Sequence, residues 1–397
     1  MKPFALTGPD QIADPYPVYA RYRAVEPVHE TAAGWYVFRF DDVAAVLMSP
    51  RVGRGAPPGQ RPAPLIPEEY PALRAIVENW LVFLDPPRHT RLRALVTRHF
   101  TARLVADLRP RIAELAGGLL AEVRAAPVTD LVADFAAPLP ILVISELLGV
   151  PPGRRDWLRA RAVALQEANT SRGGDRAARL GAAEAASVEL WDFFAAEVAR
   201  RRDGGPADLT TALVRAAPAL TDTEIISTCV HLLTAGHETT TNLIAKATLA
   251  LLRHPEVRDR LAAEPALMPG AVEEFVRYDA PVQMVSRRTY EDLRINDVTI
   301  PAGGKVTLVL GSANRDPRRF PDPDILDVGR DASRNASFGM GIHYCLGARL
   351  AYLEAEIGLT ALLRGLPGLA FADEPVEYAD DLVFHGPSRL PLATARA

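Results

Sequence analysis

Helical periodicity dominates the pattern of hydrophobic and polar positions along the chain. Leu, Val, Ile and Ala recur at i, i+3 and i+4, a spacing that places apolar side chains on one face of a helix. The pattern predicts helices over residues 88–107, 109–125, 139–149, 154–169, 176–203, 221–253, 255–264, 269–279 and 346–364. Most of the chain is therefore expected to be α-helical.

Strand patterns are fewer. Residues 34–40 (GWYVFRF) form one, and residues 287–310 read as a meander with turns at Asn296–Asp297 and Gly303–Gly304. Strands and helices do not alternate regularly, which argues against a Rossmann or barrel fold. The proline-rich residues 57–71 predict a long loop. The predicted fold class is mainly α with a minor β-sheet region.

The predicted helix over 221–253 is unusually long. Thr221 and Glu224 form a capping-box pattern at its start, and it ends before Pro255. Apolar residues lie on most sides of it, which indicates a helix buried in the centre of the protein. Its middle nevertheless reads AGHETT (235–240), with residues that weaken helices. Either a kinked helix with locally satisfied hydroxyls or a functional site explains this stretch.

Composition narrows the class of protein. The chain has 397 residues, 48% of them hydrophobic, and a formal net charge of −4, so global charge does not favour nucleic acid or an anionic membrane. Two cysteines, Cys229 and Cys345, exclude a disulfide scaffold. The N-terminus lacks the apolar core of a signal peptide, and the longest apolar stretch, 139–150, is too short to span a bilayer. We expect a cytoplasmic protein.

Three glycines surround Cys345 in the stretch FGMGIHYCLGARLA (338–351). Glycine lets a backbone approach a flat ligand, and a helix is predicted to begin just after the cysteine. Its free amides and dipole would stabilise a thiolate, which suits an axial haem ligand. A zinc site lacks partner residues other than His343, and covalent haem attachment lacks its motif. Two alternative roles for Cys345, as a buried structural cysteine or as a nucleophile, are not excluded by these residues.

The cysteine stretch resembles the haem-binding motif of the cytochrome P450 family, with Phe338, Gly339, Gly341, His343, Cys345 and Gly347 in its spacing. Other stretches resemble further family motifs in the same order: 85–93 (DPPRHTRLR), 235–240 (AGHETT), 274–277 (EFVR) and 313–317 (ANRDP). The resemblance begins near Asp14 and has the pattern of bacterial members. It implies one domain over 1–397 with the P450 fold, in which about the first thirteen residues are expected to be flexible.

The resemblance also implies a role for each motif residue. Cys345 would be the axial ligand of haem b (iron protoporphyrin IX). Glu238 and Thr239 would deliver protons for oxygen activation. The remaining cofactor-binding residues would be His89, Arg93, Ala235, Gly236, Arg287, Phe338, Gly339, His343 and Gly347. Glu274 and Arg277 would be structural, joined by Arg318, Arg319 or Arg330.

The implied activity is that of a monooxygenase acting on a hydrophobic small molecule, such as a natural-product intermediate. Because no flavin or nicotinamide domain is present, electrons would come from a ferredoxin at the proximal face, next to Arg98, Arg103, Arg109, Arg111 and Arg349. Pocket candidates share an apolar character or a polar group among apolar neighbours: Leu81, Val82, Phe83, Leu165, His231, Val282, Met284, Val285, Val383 and Phe384. They come from segments 51–84, 165–176, 229–240, 281–287 and 382–386.

Three other activities are alternatives to the monooxygenase. Oxidative coupling or desaturation would use the same fold and retain no oxygen in the product. A haem sensor or carrier would lack the Glu238–Thr239 pair or carry an effector domain, and a peroxide-driven enzyme would often have an altered pair. The intact pair favours the monooxygenase.

Overall fold

The computed structural model describes residues 8–57, 59, 64–169, 175–216 and 219–394. Its helices are α1 (Pro9–Ala13), α2 (Tyr16–Val25), α3 (Phe40–Met48), α4 (Pro71–Val77), α5 (Arg88–His99), α6 (Ala102–Asp107), α7 (Arg109–Ala125), α8 (Pro138–Leu147), α9 (Arg155–Asn169), α10 (Arg176–Arg201), α11 (Leu209–Arg215), α12 (Asp222–Arg253), α13 (Pro255–Ala263), α14 (Met268–Tyr278), α15 (Leu310–Asn314) and α16 (Ala348–Gly365). Its strands are β1 (Val28–Thr31), β2 (Gly34–Val37), β3 (Val52–Gly53), β4 (Val128–Asp130), β5 (Met284–Thr289), β6 (Leu293–Ile295), β7 (Val298–Ile300), β8 (Lys305–Val309), β9 (Ala370–Phe371), β10 (Glu377–Tyr378), β11 (Pro387–Arg389) and β12 (Pro391–Ala393).

The long helix α12 runs through the main hydrophobic core. The Thr221 side chain accepts from the Glu224 amide and the Glu224 side chain accepts from the Thr221 amide, so the predicted capping box is present. The helix packs against α8, α10, α14 and α16, which cover it on several sides. This surrounding explains why its apolar residues are not confined to one stripe.

A five-stranded sheet stands beside the helices, in the order β1–β2–β8–β5–β3. Strands β2 and β8 pair in parallel and the other neighbours are antiparallel. Within it Arg287 faces the same side as Val306, and Met284 faces the opposite side with Val309. The predicted turns are found, with Asn296 and Gly303 both in the left-handed region at φ 52° and 81°.

The mainly α prediction with a minor sheet is confirmed, with local differences. The predicted helix over 88–107 is two helices, because Thr101 caps α6 through a hydrogen bond from the Leu104 amide to its hydroxyl. The predicted strand over 34–40 ends at Val37, and α3 begins at Phe40. Of the N-terminal segment expected to be flexible, residues 1–7 lie outside the described residues and Pro9–Ala13 forms α1.

Within the described ranges, none of the helices is apolar over enough residues to span a bilayer.

Candidate active site

The cysteine loop is shaped by two glycines in the left-handed region. Gly339 has φ 69° and Gly341 has φ 68°, and a Cβ on Gly341 would lie 2.7 Å from the Leu47 carbonyl oxygen. The Cys345 amide donates to the Phe338 carbonyl at 2.9 Å and closes the loop. A side chain at Gly341 therefore cannot be accommodated without moving α3.

Cys345 lies just before the N-terminus of α16, as the sequence predicted. Burial raises the pKa of its thiol, while hydrogen bonds from the amides of Gly347 and Ala348 and the charge of Arg93 act in the opposite direction. The amides are therefore placed to stabilise negative charge on the sulfur. A bound metal cation would supply the stabilisation that the apolar surroundings remove.

Asn314 fixes the segment that leads into the cysteine loop. Its Oδ1 accepts from the Ala336 amide at 2.7 Å, and its Nδ2 donates to Ser337 Oγ at 2.6 Å. Ser337 Oγ in turn donates to the Val276 carbonyl on α14 at 2.8 Å. The loop is thereby tied to α14 and α15.

Glu274 and Arg277 form a fully buried ion pair, with both nitrogen–oxygen contacts at 2.6 and 2.7 Å. Of the three arginines considered as the third member, Arg330 reaches Glu274, with Nε 3.3 Å from Oε1. Arg277 also donates to the carbonyl oxygens of Asn314 and Pro323. This network joins α14 to the segment before the cysteine loop.

One face of α12 borders an open space. Ala235 is exposed, and His231, Gly236 and Thr239 are half-buried, in the middle of a helix that is otherwise buried. A Cβ on Gly236 would have Ile144 as its nearest neighbour at 3.8 Å, so packing within the protein does not require glycine there. These positions leave one side of α12 open, and we refer to the space beside them as the cavity.

The proposed proton-delivery residues lie on this stretch. Thr239 Oγ1 donates to the Ala235 carbonyl at 3.0 Å, and the Glu238 side chain is buried. Sequence reasoning missed Gln166 on α9, whose Nε2 donates to the Thr234 carbonyl at 2.8 Å and whose Oε1 is 3.3 Å from His237 Nδ1. Gln166 thus satisfies a backbone carbonyl at the weakest part of α12, and the pattern of α9 alone does not reveal it.

The four residues assigned to the propionates come together around the cysteine loop. The rings of His89 and His343 have centroids 4.4 Å apart, and Arg93 Nη2 donates to the Tyr344 carbonyl at 2.7 Å. Both ring nitrogens of the buried His89, and Nε2 of His343, are without a hydrogen-bond partner among the described residues. Burial lowers the pKa of Arg287 to about 10, and burial with neighbouring Arg287 lowers the pKa of His343 to about 3. Unpaired buried donors of this kind require an acceptor that the described part of the chain does not provide.

Arg54 joins this group, although the sequence analysis did not single it out. Its Nη1 donates to the Ser286 carbonyl at 2.6 Å, next to Arg287, and its guanidinium carbon lies 5.2 Å from the centre of the Phe83 ring. Burial lowers the pKa of Arg54 despite the nearby Asp85, whose carboxylate accepts from the amides of residues 54 and 55. Residue 54 lies in an irregular segment, so no periodic pattern could identify it.

The charges of the cluster fit a ligand with two carboxylates. Arg54, Arg93 and Arg287 carry three positive charges, and Asp85 is the one carboxylate among the described residues that acts on Arg54 and Arg287. The low pKa of His343 keeps that residue neutral. The surplus is two positive charges beside open space and a cysteine. Haem b carries two propionates, so these residues fit it.

The proposed substrate residues do not share one environment. Val82 is 40% exposed and Phe83 half-buried, whereas Leu81 and Leu165 belong to the main core. Val282 and Phe384 form an isolated antiparallel bridge, and Val285, Val383 and Phe384 are half-buried.

Met284 is a wrong assignment. It packs with Tyr19, Tyr22 and Phe38 on the side of β5 opposite Arg287. Strand alternation places its side chain away from the cavity, which the sequence range alone could not decide.

His231 adds a polar group to the cavity face of α12. Its ring stacks on Trp80, with centroids 5.1 Å apart and planes 14° apart. Burial, with a smaller effect of Arg93, lowers the pKa of His231 to about 4. The imidazole is therefore neutral at physiological pH and can donate one hydrogen bond and accept another.

Comparisons with known proteins show which family the chain resembles. Residues 179–366 match the family model described as cytochrome P450. The chain is 39% identical to the vitamin D(3) 25-hydroxylase of Pseudonocardia autotrophica (96% of this chain, 93% of the relative). It is 40% identical to the cytochrome P450 monooxygenase PikC of Streptomyces venezuelae (98% and 93%). The crystal structure of P450BioI with an acyl carrier protein carrying hexadec-9Z-enoic acid superposes with TM-score 0.90 at 35% identity, covering 98% of this chain and 100% of that one.

Proposed function

The chain belongs to the cytochrome P450 family, and from that premise we propose that it hydroxylates or epoxidises a hydrophobic natural-product intermediate with O₂ and electrons from a ferredoxin. Membership makes the protein a monooxygenase that uses haem b with a cysteine thiolate as axial ligand. The observation that carries the proposal is the open face of α12 beside a cluster with two surplus positive charges and one available thiol. Relatives named as a polyketide biosynthesis cytochrome P450 and a nocardicin C N-oxygenase support a natural-product substrate.

Cys345 is the thiol suited to bind the iron. The other cysteine, Cys229, is fully buried on α12, 3.7 Å from the Thr210 hydroxyl, and burial raises its pKa to about 12. Cys345 instead lies at a helix N-terminus, where the amides of Gly347 and Ala348 donate to its sulfur. Bound haem b supplies the redox-active iron at which dioxygen reacts.

The chain's own residues bind and orient that group. We assign the two propionates to His89, Arg93, Arg287 and His343, with Arg54 as a fifth donor. Phe338, half-buried against Tyr352, would pack beside the sulfur, and the glycines at 339 and 347 would leave room for the macrocycle. On the opposite side, Ala235 and Gly236 would allow close approach to α12.

Glu238 and Thr239 are the proposed proton carriers. Insertion of one oxygen atom consumes two electrons and two protons and releases the other oxygen atom as water, so protons must enter a site that excludes solvent. Thr239 Oγ1 can turn from the Ala235 carbonyl toward the cavity and donate its proton there. The buried Glu238 carboxyl, one residue away, can resupply it.

The proposed cavity wall favours an apolar substrate with at least one oxygen function. Val82, Phe83, Val285 and Phe384 would supply apolar surface. His231, held by its stacking on Trp80, would hydrogen-bond a carbonyl or hydroxyl of the substrate. Such a bond contributes about 1 kcal/mol and chiefly orients the substrate.

Two arginines support docking of an acidic ferredoxin. Arg98 and Arg349 are exposed and form no ion pair within the described part of the chain. Arg103, Arg109 and Arg111 are instead paired with Asp107, Glu356 and Glu146, which weakens their expected contribution. The exposed Ile342 and Tyr344 beside Cys345 would complete the contact surface.

The test begins with the ferric holoprotein. We would titrate it with macrolides, cyclic dipeptides, aromatic polyketides, terpenes and fatty acids and follow the Soret band. The class that produces a low-to-high-spin shift is then turned over with a ferredoxin, its reductase and ¹⁸O₂. A product heavier by one ¹⁸O atom is expected. A product that has lost two hydrogens and contains no ¹⁸O would replace the proposal with coupling or desaturation.

A further inference from the structure

A buried ammonium group on α12 takes no part in the chemistry described above. Lys246 lies two turns beyond Thr239, and its side chain is 1% exposed. Its Nζ lies 2.7 Å from Asp279 Oδ1, 2.7 Å from His385 Nδ1 and 2.9 Å from the Ala280 carbonyl oxygen. The three donors of the ammonium are thereby all used.

Stability alone does not explain a buried charge at this position. Burial lowers the pKa of Lys246, while the Asp279 carboxylate acts in the opposite direction. A buried ion pair of this kind is often no more stable than apolar residues of the same volume. Such a pair can instead serve to position residues, because its hydrogen bonds fix the groups that they join.

The hydrogen bonds reach the N-terminal part of the chain. Because His385 Nδ1 accepts from the ammonium, the ring proton is on Nε2, which donates to the Ile12 carbonyl at 2.6 Å. Tyr16 donates from its hydroxyl to Asp279 Oδ1 at 2.7 Å. Residues from α1 and α2 thus close the network on the side away from α12.

The network holds one particular loop, residues 381–385, which we name the tip loop. The His385 amide donates to the Pro281 carbonyl at 2.9 Å, and the Gln283 amide donates to the Val383 carbonyl at 3.0 Å. Asp381 Oδ1 accepts from the amides of Val383 and Phe384 and sets the turn between them. The tip loop is therefore rigid with respect to the segment that begins β5, and Lys246 anchors both parts to α12.

We propose that Lys246 is a positioning residue of the substrate cavity, which fixes the tip loop and so determines where Phe384 stands in the cavity wall. The proposal rests on the proposed function, because it takes Phe384 as part of that wall. Asp279 and His385 link Lys246 to the segments on either side of it. On the N-terminal side, Ile12 accepts a hydrogen bond from His385 and Tyr16 donates one to Asp279. A residue that only stabilised the fold would affect unfolding and leave the shape of the cavity unchanged.

The experiment compares two iron ligands that differ in their reach into the cavity. Imidazole and 4-phenylimidazole would each be titrated against the full-length ferric holoprotein, following the Soret band. The variants are Lys246→Met, the double variant Lys246→Met/Asp279→Asn, which leaves no buried carboxylate unpaired, and Tyr16→Phe. Arg201→Met is the matched control, because Arg201 is an equally buried cation, paired with Asp208 and Glu197.

In the double variant we expect the dissociation constant of 4-phenylimidazole to rise about fivefold, as for loss of roughly one methylene group of apolar contact. That of imidazole should stay within about twofold, and Arg201→Met should change the ratio of the two constants by less than about twofold. Tyr16→Phe should move the ratio in the same direction and by less, which keeps the test decisive if the Lys246 variants do not fold.

An unchanged ratio in the double variant and in Tyr16→Phe, even with a lower unfolding temperature, would overturn the positioning role. Failure of the proposed function would look different, because both imidazoles would still report the shape of the cavity wall while the turnover product contained no ¹⁸O.

Discussion

Single residues identify the cofactor site through polar atoms that burial leaves unsatisfied. His89 and His343 have ring nitrogens without partners among the described residues, and the Arg54 Nε is in the same condition. Leaving such groups unpaired costs about 1–3 kcal/mol each, so a folded protein is expected to pair them with a ligand. We propose that the propionates of haem b pair with these groups.

Arg54 gives this account a prediction that does not depend on catalysis. Arg54→Gln should speed transfer of haem from the holoprotein to apomyoglobin about tenfold, because a charge-assisted hydrogen bond is lost. The matched control is Arg288→Gln. Arg288 is exposed on the face of β5 opposite Arg287 and donates to the Gly303 carbonyl. Equal transfer rates for the two variants would remove Arg54 from the cofactor site.

Thr239 is the residue at which loss of a hydroxyl should separate electron use from product formation. In Thr239→Ala, product formed per electron pair should fall by about tenfold or more while hydrogen peroxide release rises, because proton delivery is impaired. Thr239→Ser keeps the hydroxyl and should retain most of the coupling. Equal coupling in the two variants would show that Oγ1 carries no proton. Product and peroxide are measured against NAD(P)H consumed.

At the scale of elements, α12 combines a buried helix with one open face. Its middle contains a glycine and several threonines, which weaken a helix, and Gln166 from α9 donates to the Thr234 carbonyl there. Its second half carries Lys246, which anchors the tip loop. One element therefore borders the cofactor space, the proposed proton carriers and the proposed substrate wall.

The sequence predicts such elements well where periodicity is regular. The bounds of α7, α10 and α12 differ from the predicted ranges by at most two residues, since their apolar spacing is continuous and their ends carry caps or prolines. The prediction of one helix over 88–107 is wrong at Thr101. The Thr101 cap starts a new helix there, although the apolar spacing continues beyond it.

Contacts between distant segments could not be predicted from the periodicity of the sequence. Arg54, Gln166 and Lys246 act through partners more than thirty residues away, and no local pattern indicates which partner they meet. Arg330 could be named only as one of three candidates for the same reason. The Met284 error arose because a range of pocket residues ignores the alternation of β5.

The buried Glu274–Arg277 pair should be sensitive to removal of one partner. Glu274→Ala leaves the Arg277 guanidinium buried without its carboxylate and should lower the free energy of unfolding by about 3–5 kcal/mol. Arg330→Ala should cost about 1 kcal/mol, because Arg330 is a peripheral donor to Glu274. Arg318→Ala, at an exposed position, should stay within about 0.5 kcal/mol. Urea unfolding of the holoproteins measures all three, and a loss as large in Arg318→Ala would refute the assignment of Arg330.

At the scale of the whole molecule, several buried histidines are held neutral. Burial lowers the pKa of His237 and of His385 to about 4. In the unfolded chain the ordinary value is about 6.5, so the unfolded state takes up protons first as pH falls. Stability is therefore fully present above about pH 6.5 and is lost progressively toward pH 4.

The expected loss at about pH 5 is about 2 kcal/mol for each of these histidines. The unfolding temperature of the holoprotein should fall between about pH 7 and pH 5, and it should fall less in His385→Gln, which cannot take up a proton in this range. The comparison is made by differential scanning calorimetry at constant ionic strength. An identical fall in both proteins would show that His385 is not held neutral.

The carbon monoxide spectrum of the reduced protein tests the central claim, that Cys345 is the thiolate ligand of haem b. The unsubstituted protein and Cys229→Ser should both show the Soret band of a thiolate-ligated carbonyl complex, since Cys229 is buried away from the cofactor space. Cys345→Ala should lose that band even where haem is retained. A thiolate-type band that survives in Cys345→Ala would contradict the account.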